Sequence, residues 1–205
     1  MKRLAWNAVA VLAAAVLAGC QPATPTPPSP TTPVQSPTSV PTPTYLCTPE
    51  AGGDEAPCSE IEYEEMKAKD ALYAEAEAVY REFFAESVRI SRDGGVDEPT
   101  QVLLRTTTGD YLDNMLSIFS SMRSRGVKAE GEDPQLTVSR LPGVAKAGSL
   151  VALSVCIDSR GWAFFVGSER TAEGRVGVDE VYLARFGDDL KIIGADGREE
   201  DECGP

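Results

Sequence analysis

The apolar positions of this chain change their period once. From Ser59 to about Ile90 they recur every three or four residues, so that Leu72, Tyr73, Ala76, Val79, Tyr80, Phe83, Phe84 and Ser87 share one helical face. Glu75, Arg81, Glu82, Glu86 and Arg89 fall on the other. Ser59-Glu60-Ile61-Glu62 is a capping-box signature, with Ser59 as N-cap and Glu62 at the third helical position, and Asp93-Gly94-Gly95 predicts the end. Pro99 suits the first turn of a second, short helix carrying Val102, Leu103 and Leu104. A third helix is predicted from about Gly109 to Ser124, with Thr108 as N-cap and Gly126 as stop. Its apolar stripe is Tyr111, Leu112, Met115, Leu116, Phe119 and Met122.

After Gly126 the pattern alternates, and strands are expected at Gln135–Leu141, Leu150–Ile157, Trp162–Val166, Val176–Phe186 and Leu190–Ala195. Val151, Leu153, Val155 and Ile157 share one face of the second of these. The opposite face, Leu150, Ala152, Ser154 and Cys156, is only weakly polar and would permit homodimerisation. Helices first and a meander of strands afterwards predict an α+β domain, the helices packed on a curved antiparallel sheet.

The N-terminal segment is built differently. Met1-Lys2-Arg3 precedes an apolar run from Leu4 to Leu17, a length that suits an export signal better than a membrane span. Leu17-Ala18-Gly19-Cys20 resembles a bacterial lipobox, which implies cleavage before Cys20 and a diacylglyceryl group on its thiol. Two acyl chains hold a protein stably at a membrane where one does not. Residues 21–44 contain nine Pro among 24 residues, with Thr and Ser making up most of the rest. That composition buries no core and favours extended polyproline II, a stalk of up to roughly 75 Å. The expected organisation is therefore a signal peptide over 1–19, a lipid-anchored linker over 20–44 and a folded domain over 45–205.

Charge and cysteines narrow the partners. The chain carries 19 Lys and Arg against 32 Asp and Glu, and loss of Lys2 and Arg3 with the signal would leave 17 against 32. So acidic a surface repels phosphate backbones and excludes nucleic acid as a partner. Four cysteines remain beyond Cys20, an even set in an oxidising compartment. Three pairings are possible, and Cys47–Cys58 with Cys156–Cys203 is the expected one. Zinc held by four thiolates is the rival, but no close Cys-x-x-Cys spacing supports it. No metal or other cofactor is expected. The chain has no His, which removes His-dependent nucleophiles and His-ligated metals.

The lipobox, the Thr/Pro stalk, the run AEAVYREFFAESVRI with Gly94-Gly95, the SVCID segment at 154–158 and a Cys near the C-terminus together resemble small actinobacterial surface lipoproteins. The element order is similar to the cone-shaped, cystatin-like fold of the nuclear-transport-factor-two-like and SnoaL-like superfamily. That resemblance implies a fold and an envelope location, and no particular activity. In such a cone the sheet curls around the long helix and leaves a pocket, to which Tyr73, Tyr80, Tyr111, Trp162 and Tyr182 are candidate contributors. Asp158 is the weak candidate for a catalytic carboxylate, and its simpler role is to start the turn Asp158-Ser159-Arg160-Gly161. The leading expectation is a non-catalytic lipoprotein binding an envelope protein or small ligand. The alternatives are an enzyme using Asp and Tyr for acid–base chemistry, and a dimerisation module.

Overall fold

A short hairpin precedes the first helix. The computed structural model describes residues 44–146 and 148–204, so the signal segment, Cys20 and the stalk lie outside the described residues. Strands β1 (Tyr45–Cys47) and β2 (Ala56–Cys58) pair antiparallel and are cross-linked by Cys47–Cys58, with Cα atoms 5.9 Å apart. Three residues a side give no readable alternation, which is why pattern alone misses both strands.

Helix α1 (Glu60–Asp93) begins at the capping box: Ser59 Oγ accepts from the Glu62 backbone N–H, and Glu62 accepts from the Ser59 backbone N–H. It ends at Gly94, whose φ of 88° is the left-handed conformation a helix C-cap favours. Helix α2 (Gln101–Thr106) starts two residues later than Pro99 suggests. Thr100 takes the N-cap role because its hydroxyl accepts from the Leu103 N–H, leaving Pro99 just outside the helix. Helix α3 (Gly109–Arg125) has Thr108 at its N-cap position without a side-chain cap bond. The Thr108 N–H donates instead to the Ile192 carbonyl, tying the start of α3 to the sheet.

The strands do not form the single meander expected of them. Four of them, β4 (Gln135–Arg140), β5 (Val151–Asp158), β8 (Val176–Phe186) and β9 (Asp189–Glu200), make one antiparallel sheet in the order β4-β5-β8-β9. The other three, β3 (Val127–Gly131), β6 (Trp162–Val166) and β7 (Glu169–Glu173), make a second in the order β3-β6-β7. The chain leaves the first sheet after Asp158 and returns at Val176. This corner is held by the Ser159 N–H donating to Arg175 O and the Gly174 N–H donating to Trp162 O. β3 and β7 are absent from the sequence pattern because β7 is exposed throughout and β3 turns only Ala129 fully inward.

The core lies between α1 and the two sheets. Tyr73, Ala76, Tyr80, Phe83 and Ile90 of α1 pack with Val151, Leu153 and Val155 of β5, with Val181 and Leu183 of β8, and with Leu190 and Ile192 of β9. Phe119 and Met122 of α3 and Leu103 of α2 complete it. A second cluster on the opposite face of β5 and β8 consists of Cys156, Val176 and Val178, with Cys203 packed against it. The disulfide Cys156–Cys203 therefore staples the C-terminal segment to that face, with Cα atoms 5.7 Å apart. Closing a loop of 47 residues stabilises the fold by about 4 kcal/mol through the unfolded chain. No helix among the described residues is long and apolar enough to cross a membrane.

Candidate functional site

One stripe of α1 continues beyond the closed core and borders open space. Tyr80, Phe83, Phe84, Ser87, Val88 and Ser91 follow helical spacing and line a cavity of about 250 Å³. Tyr111 and Met115, one turn apart, reach it from α3. Ile157 enters from the end of β5, and Trp162 and Phe164, alternate residues of β6, from the second sheet. Their rings meet edge to face with centroids 6.0 Å apart. Phe83 links the rings of Tyr80 and Tyr111, at 5.8 and 5.6 Å.

The single charged residue among the described residues that line the cavity is Asp179. Its position follows from strand parity. Val181 and Leu183 face the α1 side of β8, so Asp179, two residues before Val181, faces the same way. Its cross-strand neighbours are Val155 on β5 and Gly197 on β9. An irregularity in the β8–β9 register passes over Ile193: Leu183 pairs with Ile192 but Tyr182 with Gly194. The extra residue switches the inward set of β9 from Leu190 and Ile192 to Ala195 and Gly197. Gly197 leaves room for the carboxylate, since a Cβ there would stand 2.5 Å from Asp179 Oδ1 and push that side chain aside.

Four of the lining side chains carry polar groups that make no hydrogen bond among the described residues. The Trp162 Nε1–H is buried and has no acceptor among the described residues. No described side chain donates to Asp179, and burial alone pushes its carboxyl above the usual range. Burial, then the neighbouring Tyr111 and Asp179, pushes the Tyr80 phenol up, and burial and then Asp179 do the same to Tyr111. An apolar pocket with a few convergent polar groups and perturbed titration is the general form of a small-molecule site.

The other sequence candidates sit elsewhere. The Tyr73 hydroxyl donates to Glu50 Oε1 at 2.9 Å, and the Arg140 guanidinium lies 4.9 Å from its ring centroid. Burial and the Glu50 hydrogen bond raise its phenol to about 12. The Tyr182 hydroxyl is within reach of Glu180 Oε2 (2.9 Å) and Asp196 Oδ2 (3.2 Å) on the opposite face of β8. Asp158 accepts from the Arg160 backbone N–H at 3.1 Å and from its guanidinium at 2.5 Å, so it closes the turn and does not line the cavity. Those bonds lower its carboxyl to about 2, which makes it a weak base. On the face considered for dimerisation, Leu150 is exposed while Ala152 and Cys156 are buried.

Sequence reasoning thus names Tyr80, Tyr111 and Trp162 of the cavity and misses Asp179. The parity with Val181 and Leu183 is the signal that could have found it.

No protein-family model matches this chain, and no curated protein matches it. A de novo designed β-sheet protein, solved in solution by NMR, aligns at 12% identity and a TM-score of 0.33, over 60% of this chain and 92% of that one. A likeness that slight carries no argument about function.

Proposed function

We propose that this chain is an envelope lipoprotein, tethered through lipid on Cys20 to the outer face of the bacterial cytoplasmic membrane, whose α+β domain binds a small molecule in the cavity beneath α1. The lipobox pattern, the Pro/Thr stalk and the two disulfides support the location. A long helix lying against antiparallel sheets, with a cavity at one end, supports a cone of the cystatin-like kind as the finer fold. The binding role is carried by one observation. Asp179, Tyr80, Tyr111 and Trp162 line one largely apolar pocket, and among the described residues none of their polar groups has a hydrogen-bond partner. Polar groups buried in a folded chain are normally paired, so an unpaired set in one place points to a ligand.

Two measurements test this. Mass spectrometry of the mature N-terminus should find a diacylated Cys20; an unmodified Cys20 or a retained Met1 removes the tether. Native mass spectrometry of protein extracted from envelopes should release a small molecule from the wild type and none from Ser91→Leu, which fills the cavity from α1. Identical spectra of the bare chain in both cases would sink the binding role.

A second reading has a specific observation in its favour. A carboxylate raised by burial beside two phenols is suited to general acid–base catalysis. The residue that would carry it is Asp179. Deuterium exchange into small carbonyl compounds, catalysed by the wild type and lost in Asp179→Asn, is the expected signature, and exchange at the buffer rate in both rules it out.

A further inference from the structure

We propose that the cavity takes a small organic cation, an amine or quaternary ammonium on an apolar body, with its charge held between the Asp179 carboxylate and the surrounding aromatic rings. This deepens the binding role proposed above and depends on it.

Six of the lining side chains are aromatic: Tyr80, Phe83, Phe84, Tyr111, Trp162 and Phe164. Ring faces carry negative partial charge and attract cations, most strongly where water is excluded. Among the described residues Asp179 is the one charged side chain that lines the cavity, with no Lys or Arg beside it. An anionic ligand would meet a carboxylate and ring faces with no cationic side chain in the described lining to neutralise it. A neutral ligand would leave the carboxylate unpaired in an apolar setting. A cation satisfies both features at once. Trp162 already serves a cation in this way: the Arg92 guanidinium lies 5.8 Å from its ring centroid. That guanidinium is committed to Asp133 and to the Gly131 carbonyl, at 2.6 and 2.9 Å, and is not itself in the lining.

Size and field agree. A cavity of about 250 Å³ exceeds the roughly 150 Å³ that accommodates benzene in an engineered apolar core. The excess of 32 acidic over 19 basic residues gives the chain a field that draws cations toward it. Gly197 keeps the place beside the carboxylate clear, and a methyl group there would displace it.

The test uses the mature, lipidated chain in detergent, with ¹⁵N-labelled tryptophan. Of the two tryptophans, Trp6 leaves with the signal segment under the proposed cleavage before Cys20, so the mature chain gives one indole signal, that of Trp162. Three probes of one shape are titrated: phenethylammonium, 2-phenylethanol and 3-phenylpropionate. Phenethylammonium should shift the Trp162 signal and bind about tenfold or more tighter than the alcohol, the scale of a desolvated cation–π contact plus a carboxylate. 3-Phenylpropionate should not bind. Asp179→Asn should bring the ammonium and the alcohol to parity, and Gly197→Ala should weaken the ammonium alone. If the alcohol or the carboxylate binds as well as the ammonium, the cavity is real and the ligand class is wrong. If no probe moves the Trp162 signal, the binding role falls with it.

Discussion

Tyr73 and Tyr80 stand seven residues apart on one stripe of α1, both buried, and their hydroxyls meet opposite fates. At the Tyr73 end the hydroxyl donates to Glu50, Lys69 pairs with the same carboxylate, and Arg140 covers the ring while pairing with Asp70. Every polar group in that corner is used by the fold. At the Tyr80 end the phenol, the Tyr111 phenol and Asp179 belong to residues that line open space and make no hydrogen bond among the described residues, and the buried Trp162 indole N–H beside them has no acceptor there either. The difference separates two uses of the same residue types. Satisfied polar groups hold a structure together, whereas a cluster left unsatisfied costs stability, and such costs gather at functional sites.

The two ends of this stripe should also differ in how tightly they are packed. Leu153 is 1% exposed and belongs to the closed core, so Leu153→Ala should lose about 2–5 kcal/mol in urea unfolding. Met115 already borders the cavity, and Met115→Ala removes fewer contacts, for a loss of roughly 1 kcal/mol. Equal losses would mean that the cavity end is as tightly packed as the core.

Replacing each phenol sharpens the contrast at lower energy. Tyr73→Phe removes the donor to Glu50 and should cost about 1 kcal/mol. Tyr80→Phe removes a hydroxyl at the cavity that makes no hydrogen bond among the described residues, and its unfolding midpoint should stay level or rise. A Tyr80→Phe variant as unstable as Tyr73→Phe would show that its hydroxyl is bonded after all.

Much of this division is readable from sequence, and the unreadable part has a physical cause. The stripe on α1, the inward set of β5 and the stripe on α3 follow from periodicity, because one buried face imposes one period. The expected Cys47–Cys58 and Cys156–Cys203 pairs are the ones formed. What periodicity does not carry is partnership across long separations. Tyr73 and Tyr80 look alike in the pattern, and only the fold brings Glu50 to one and Asp179 to the other. The split into two sheets is hidden for a similar reason: β3 and β7 bury too little to alternate. The switch of face in β9 depends on the extra residue at Ile193, which two-residue alternation cannot anticipate.

The smallest effect is the most discriminating, because two aspartates should respond to pH with opposite sign. Asp179 is raised by burial above the ordinary 3.8, so the fold favours its protonated form. Its contribution is present below 3.8 and is lost as pH rises through its higher folded midpoint, and near neutral pH the ionised group weakens the domain. Asp158 is lowered to about 2 by Arg160, so its contribution is present above 3.8 and is lost as pH falls toward about 2. Asp179→Asn should therefore stabilise the domain near neutral pH. The gain should stay below about 1 kcal/mol, since a half-buried carboxyl escapes part of its cost by holding a proton. Asp158→Asn should destabilise it under the same conditions. Urea midpoints collected from the acid range to neutrality, each variant subtracted from the wild type, give two difference curves of opposite slope. An Asp179→Asn curve with the same slope as the Asp158→Asn curve would mean that the Asp179 carboxyl is already held by donors, and the cavity would then be no different from the corner around Tyr73.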